Sequence, residues 1–163
     1  IVGGYAATTG AGGSINITAG AGYGTNQNGG VVNITAGAAT GSGTPGAVVV
    51  TGELQLDSYN ETANAIATTG AVTIDLTTGT YFYNAATTGV ITFTFSNPAA
   101  SGRVSSFTLE LFGGATNAPV WPASVKWPGG TEPTWSAGVD VVSFSTRDNG
   151  TTWLGMLGGT AFA

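Results

Sequence analysis

The chain contains no cysteine and no histidine. The first absence excludes a disulfide framework, thiolate chemistry and cysteine-ligated metal sites. The second removes the commonest general base together with the commonest zinc ligand. Basic residues are almost as scarce: Arg103, Lys126 and Arg147 stand against eight acids, for a net charge of −5. So few cations cannot neutralise a run of phosphates, and no nucleic-acid partner is expected. Residues 1–52 hold no Asp, Glu, Lys or Arg at all; the first acid is Glu53 and the first base Arg103. No apolar run approaches the roughly 20 residues that span a bilayer, so membrane insertion is not expected. The start lacks the basic residues of a signal peptide.

What the sequence does have is glycine, 28 residues of it, and an internal repeat. Gly13-Ser-Ile-Asn-Ile-Thr-Ala-Gly20 returns as Gly30-Val-Val-Asn-Ile-Thr-Ala-Gly37, and a third copy, Gly46-Ala-Val-Val-Val-Thr-Gly52, follows. Repeat starts at 13, 30 and 46 give spacings of 17 and 16 residues. Ile1-Val2-Gly3-Gly4 matches the end of a still earlier copy, and with no initiator Met the chain is expected to be a fragment of a longer protein. Each copy carries five residues of strand pattern, Ser14–Thr18, Val31–Thr35 and Ala47–Thr51, with apolar residues alternating with Asn in the first two. One short strand per repeat cannot bury its own apolar face and needs stacked copies or copies from other chains. Three chains wound about one axis would bury Ile15, Ile17, Val32, Ile34, Val48 and Val50 centrally. The repeats therefore predict a homotrimeric, intertwined β-helical shaft over residues 1–52. Glycine-rich loops between the strands suit tight turns and close backbone approach.

From residue 53 to 163 the pattern is that of an all-β domain. Candidate strands are Leu54–Asp57, Thr62–Ala67, Ala71–Leu76, Gly79–Asn84, Val90–Ser96, Val104–Phe112, Val120–Lys126, Val139–Thr146 and Thr152–Leu157. Turn signals such as Thr78-Gly79, Asn97-Pro98 and Asn149-Gly150 fall between them at short spacing, which predicts an antiparallel β-sandwich or jelly-roll-like knob. Ile91–Phe95 and Phe107–Phe112 alternate, so each should have one buried and one wet face. The eight acids are scattered singly, with no pair spaced like a glycosidase dyad. No catalytic residues, metal site or cofactor are expected.

A polar ligand such as a glycan needs flat apolar faces beside hydroxyl and amide groups. The candidates for such contacts are Trp135, Tyr81, Tyr83 and Trp127. Trp121, Val125 and Trp127 share one parity and read first as a core face. Trp135, in the loop-like Gly130-Thr-Glu-Pro-Thr-Trp-Ser136, is expected to be the most exposed tryptophan.

Val120-Trp-Pro-Ala-Ser-Val-Lys-Trp-Pro-Gly-Gly-Thr131, Ala137-Gly-Val-Asp-Val-Val-Ser-Phe-Ser-Thr146 and Asp148-Asn-Gly-Thr-Thr-Trp153 resemble the C-terminal domains of tail fibres and other virion appendages of marine bacteriophages. The glycine-rich repeats are similar to the shafts of such fibres. The resemblance implies a structural virion fibre, a homotrimer joined to other virion proteins and exposed on the virion surface. Its distal knob would contact a host cell-surface glycan or protein receptor. A bacterial trimeric adhesin fragment shares this plan and is the alternative; a polysaccharide depolymerase, or an ice-binding protein using Thr18, Thr35 and Thr51, fits less of the pattern. Thr146-Arg-Asp-Asn-Gly-Thr-Thr-Trp153 also resembles the Asp-box of sialidases. It reads as a structural hairpin in which Asp148 bonds turn N–H groups, Gly150 takes a positive φ and Trp153 packs below. No arginine cluster accompanies it.

Overall fold

A computed structural model describes residues 15–38, 40–41 and 46–162; the Ile1–Gly4 copy, Gly13, Ser14 and part of the second loop lie outside the described residues. The chain divides into two compact units, Ile1–Leu56 and Asp57–Ala163, four residues beyond the change in composition.

In the first unit the repeat has a recurring backbone signature. The Gly30 N–H donates to the Gly20 carbonyl at 2.8 Å, and the Gly46 N–H to the Gly37 carbonyl at 2.9 Å. Gly20 and Gly37 are equivalent positions one repeat apart, as are Gly30 and Gly46, so each loop is tied at its base in the same way. A Cβ on Gly30 would sit 3.2 Å from the Gly20 oxygen, and one on Gly46 3.4 Å from the Gly37 oxygen, so the donor side of each tie favours glycine; a Cβ on Gly20 or Gly37 would meet nothing within 4 Å. Between the ties no strand is formed among the unit's described residues. The segments 15–18, 31–35 and 47–51 carry no ladder within the single chain: a strand exists only against a neighbour, and one chain supplies none among these residues. Ile15, Ile17, Val32, Ile34, Val48 and Val50 are left between 45% and 68% exposed.

The second unit is two-layered. Its strands are β1 (Ala63–Ala65), β2 (Gly70–Asp75), β3 (Tyr81–Tyr83), β4 (Ile91–Ser96), β5 (Ser105–Phe112), β6 (Val125–Lys126), β7 (Val139–Thr146) and β8 (Trp153–Phe162), with one 3-10 turn at Pro128–Gly130. One sheet has six strands in the order β1-β3-β5-β7-β8-β6, and the other pairs β2 with β4. The expected antiparallel sandwich is corrected here. β1–β3, β3–β5, β2–β4 and β6–β8 run parallel; only β5–β7 and β7–β8 are antiparallel. The chain coils. It passes through one sheet and then the other, returns a layer up, and does so again, so that β1, β3 and β5 stack on one side. On the other side β2 and β4 stack and are extended by a parallel bridge from Thr92 to Val120. Only after β5 does it double back through β7 and β8.

Alternation decides which side chains enter the core. Val72 and Ile74 of β2 and Ile91 and Phe93 of β4 face Phe82 of β3, Phe107, Leu109 and Leu111 of β5, and Val142 and Phe144 of β7, with Trp153 of β8 completing one cluster. Each such side chain contributes about 1.5–3 kcal/mol by leaving water. Phe107 stacks on Phe144 at 4.9 Å between centroids, and Phe93 on Trp121 at 4.7 Å. The one acid in this core is Asp140, fully buried. Its carboxylate accepts from the Ser136 N–H and hydroxyl, both at 2.6 Å, and from the Ala161 N–H at 3.1 Å, tying the turn before β7 to the end of β8. A buried carboxylate with three donors is compensated rather than stranded.

Candidate functional site

Three tryptophans form a compact group. Trp121, Trp127 and Trp135 lie with ring centroids 5.5–5.9 Å apart, and the Glu132 carboxylate oxygen accepts from the indole N–H of Trp121 at 3.0 Å and of Trp135 at 2.8 Å. The expectation that Trp135 is exposed is corrected: it is 6% exposed. The loop folds back because Glu132 captures two indoles at once, and because Gly114 leaves room, a Cβ there falling 2.8 Å from that of Trp135. Trp127 lies flat on Gly155, where a Cβ would come within 2.5 Å of the ring. It is half-buried, and Trp121, Val125 and Trp127 pack on the core as their shared parity predicts. With Pro128, Pro133, Met156 and Leu157, Trp127 borders a shallow hollow of about 350 Å³.

Tyr81 and Tyr83 stand elsewhere. They flank the inward Phe82 on β3, so both point to the outer face of the six-stranded sheet, half-buried. β5, β7 and β8 separate them from β6 and the tryptophan group. The four predicted contact residues therefore do not converge on one site. The Tyr81 hydroxyl donates to Glu110 of β5, and the Thr80 hydroxyl to Glu61. The hydrogen bond to Glu110, reinforced by burial and by the charges of Glu110 and Glu61, raises the phenol above its usual 10.0. This corner of the sheet is an acceptor-rich, negative surface. Beside it a groove of about 450 Å³ runs over the outer face, bordered by Tyr59, Glu61, Thr80, Ser106, Thr108 and Ser143.

The hairpin between β7 and β8 has the geometry its sequence predicts. Asp148 accepts from the Thr152 N–H at 2.9 Å and the Thr146 hydroxyl at 2.8 Å. Gly150 has φ 78°, with its N–H donating to the Thr146 hydroxyl oxygen at 3.1 Å. Trp153 is buried beneath. These bonds, that of Thr152 foremost, hold the Asp148 carboxyl below its usual 3.8. Its oxygen is spent on the turn, which makes the motif a structural latch.

Sequence reasoning missed the groove. Tyr59, Glu61 and the hydroxyls of β5 and β7 went unselected, although the alternation of Ser and Thr with core residues in Phe107–Phe112 and Val142–Ser145 marks the wet face they occupy. Among the described residues no group of three or more acids is placed to hold a metal ion, and no helix is long and apolar enough to cross a membrane. No protein-family model, no curated protein and no solved structure matches the chain.

Proposed function

We propose that this chain is a segment of a homotrimeric virion fibre, in which the glycine-rich repeats form an intertwined β-helical shaft and the domain from Asp57 onward is a knob that attaches to a host cell surface. One observation carries the reading: among the described residues the repeats form no strand of their own, are tied by the same glycine-to-glycine hydrogen bond, and leave Ile15, Ile17, Val32, Ile34, Val48 and Val50 exposed. An array of this kind is stable only when other copies supply the missing strands, since each unpaired polar backbone group and each exposed apolar side chain counts against a lone chain. Three copies satisfy both needs with one apolar residue per chain per layer. The knob suits attachment, with an outer sheet face on which the Ser and Thr residues of β5 and β7 lie beside the exposed Leu154 and Met156 of β8, and a closed aromatic core beneath. Partners are then two further copies of the chain, other virion proteins and a surface receptor.

Light scattering coupled to size exclusion tests the assembly. The expected mass is three times the chain mass of 16.0 kDa. A folded monomer overturns the fibre.

A further inference from the structure

The groove on the outer face of the six-stranded sheet is bordered by side chains of one chemical kind. In the β5–β7 ladder Ser106 is paired with Ser145 and Thr108 with Ser143. All four lie on the face opposite Phe107, Leu109, Val142 and Phe144, so the hydroxyls form two cross-strand pairs side by side. Partners across an antiparallel ladder lie about 4.5–5.5 Å apart and alternate residues along a strand about 7 Å apart, which fixes a small grid of donors and acceptors. Threonines elsewhere in the domain satisfy one another, as Thr68 does with Thr88 and Thr73 with Thr94. The four groove hydroxyls form no such bond with one another among the described residues.

Two further features sit on this grid. Tyr59, 74% exposed, borders the groove with its aromatic ring, and Met156 of β8 adds an apolar edge. Glu61 adds a carboxylate, and neither Lys126 nor either arginine borders the groove. At Ser145 the groove meets a second hollow of about 270 Å³, bordered by Val104, Thr152, Leu154 and one charge of each sign, Arg147 and Asp148, so the surface is long rather than round and its continuation adds no net positive charge.

We propose that this groove binds a neutral oligosaccharide, an inference that rests on the attachment reading above and gives it a site and a ligand class. A pyranose ring has an apolar C–H face that packs on an aromatic ring and an equatorial belt of hydroxyls, and Tyr59 with the Ser/Thr grid complements both. A carboxylate acceptor beside the grid makes strong hydrogen bonds to sugar hydroxyls and repels uronate, sialate and sulfate groups. The volume of about 450 Å³ lies within the range of small-ligand sites. Continuation past Ser145 favours a chain of several sugars over a single one.

The test is a titration of the full chain, followed by saturation-transfer NMR, with maltohexaose, cellohexaose and chitohexaose as neutral probes and hexagalacturonate as the anionic one. Tyr59→Ala and Ser143→Leu are the variants, each first shown to keep the wild-type mass and circular dichroism. Tyr59 is exposed, and leucine is tolerated on an outer strand face. At least one neutral hexasaccharide is expected to bind with a Kd of about 1 mM or tighter, hexagalacturonate not at all, and each variant is expected to weaken binding about tenfold or more. No binding by any neutral probe at about 10 mM overturns the proposal, as does hexagalacturonate binding as well as the neutral sugars. Neutral-sugar binding that both variants leave unchanged also overturns the groove, while leaving the fibre reading intact. A monomeric mass removes the fibre and leaves the titration to decide the groove.

Discussion

At the scale of single residues, carboxylates do the structural work that metals and disulfides do in other small β-domains. Asp75 accepts from the Asn97 amide at 2.8 Å and from the N–H and hydroxyl of Thr77 at 2.9 and 2.7 Å, which closes the turn after β2. These bonds, Asn97 first, hold its carboxyl below 3.8, as the Thr152 and Thr146 bonds do for Asp148. A carboxyl lowered in the folded state adds stability that is complete above its unfolded value and is lost as pH falls through the folded one. The thermal midpoint is therefore expected to decline below about pH 4, and Asp75→Asn with Asp148→Asn should lower the neutral midpoint while flattening that decline. Scanning calorimetry from neutral to acid pH checks this; identical profiles for wild type and double variant would remove both turns from the account. Glu132 shows where reading residue by residue stops. Its position three residues before Trp135 is plain in the sequence, but that one oxygen collects two indoles depends on Trp121 arriving from another segment. The exposure expected of Trp135 failed for that reason.

At the scale of elements, most strand positions of the second unit were legible and strand directions were not. The expected strand Leu54–Asp57 does not form, Val120–Lys126 is a strand only at Val125–Lys126, and Thr152–Leu157 extends to Phe162. The segments read as Ala71–Leu76, Val90–Ser96, Val104–Phe112 and Val139–Thr146 match β2, β4, β5 and β7 to within a residue. Polar and apolar alternation locates a strand with one wet face whatever its neighbour's direction, and parallel sheets are more often buried on both faces. This one has a wet outer face, so it carried the antiparallel pattern. A clue to direction was present. Ala67-Thr-Thr-Gly70 returns as Ala86-Thr-Thr-Gly89, 19 residues on, and the two segments stack, with the Thr88 N–H donating to the Thr68 carbonyl at 2.9 Å. In the strands that follow, Gly70 pairs with Ile91, an offset of 21. The two-residue difference keeps every side chain on its face while blurring the repeat. Strand β8 also holds a testable contact. Gly155→Ala would drive a methyl into the Trp127 ring and is expected to destabilise the domain by about 1–3 kcal/mol. Leu154→Ala, one residue away on the exposed face, should change stability by less than about 0.5 kcal/mol. Urea unfolding of the two variants separates them; equal losses would mean that the Trp127 ring moves aside freely.

At the scale of the whole molecule, the low charge shapes behaviour in solution. With three basic residues in the chain, ion pairs contribute little, and cohesion comes from apolar burial and from hydrogen bonds, those accepted by the carboxylates of Asp75, Asp140 and Asp148 among them. The thermal midpoint at neutral pH is expected to vary by only a few degrees between low salt and about 0.5 M sodium chloride, because screening has little to remove. A large drop with salt, followed by the same calorimetry, would show that charge pairing holds the fold after all. The glycine ties of the first unit bear on something other than stability. Because Gly30 returns to Gly20 and Gly46 to Gly37, each loop begins and ends at a fixed point, and the residues between them add nothing to the distance covered. The spacings of 17 and 16 differ only inside the loops, ten residues from Gly20 to Gly30 and nine from Gly37 to Gly46, so in the proposed shaft a codon gained or lost in a loop would leave the step from tie to tie unchanged. In the proposed shaft, length would then be inherited as a number of copies, one in-frame duplication adding a whole step while the loop tips diverge independently of it.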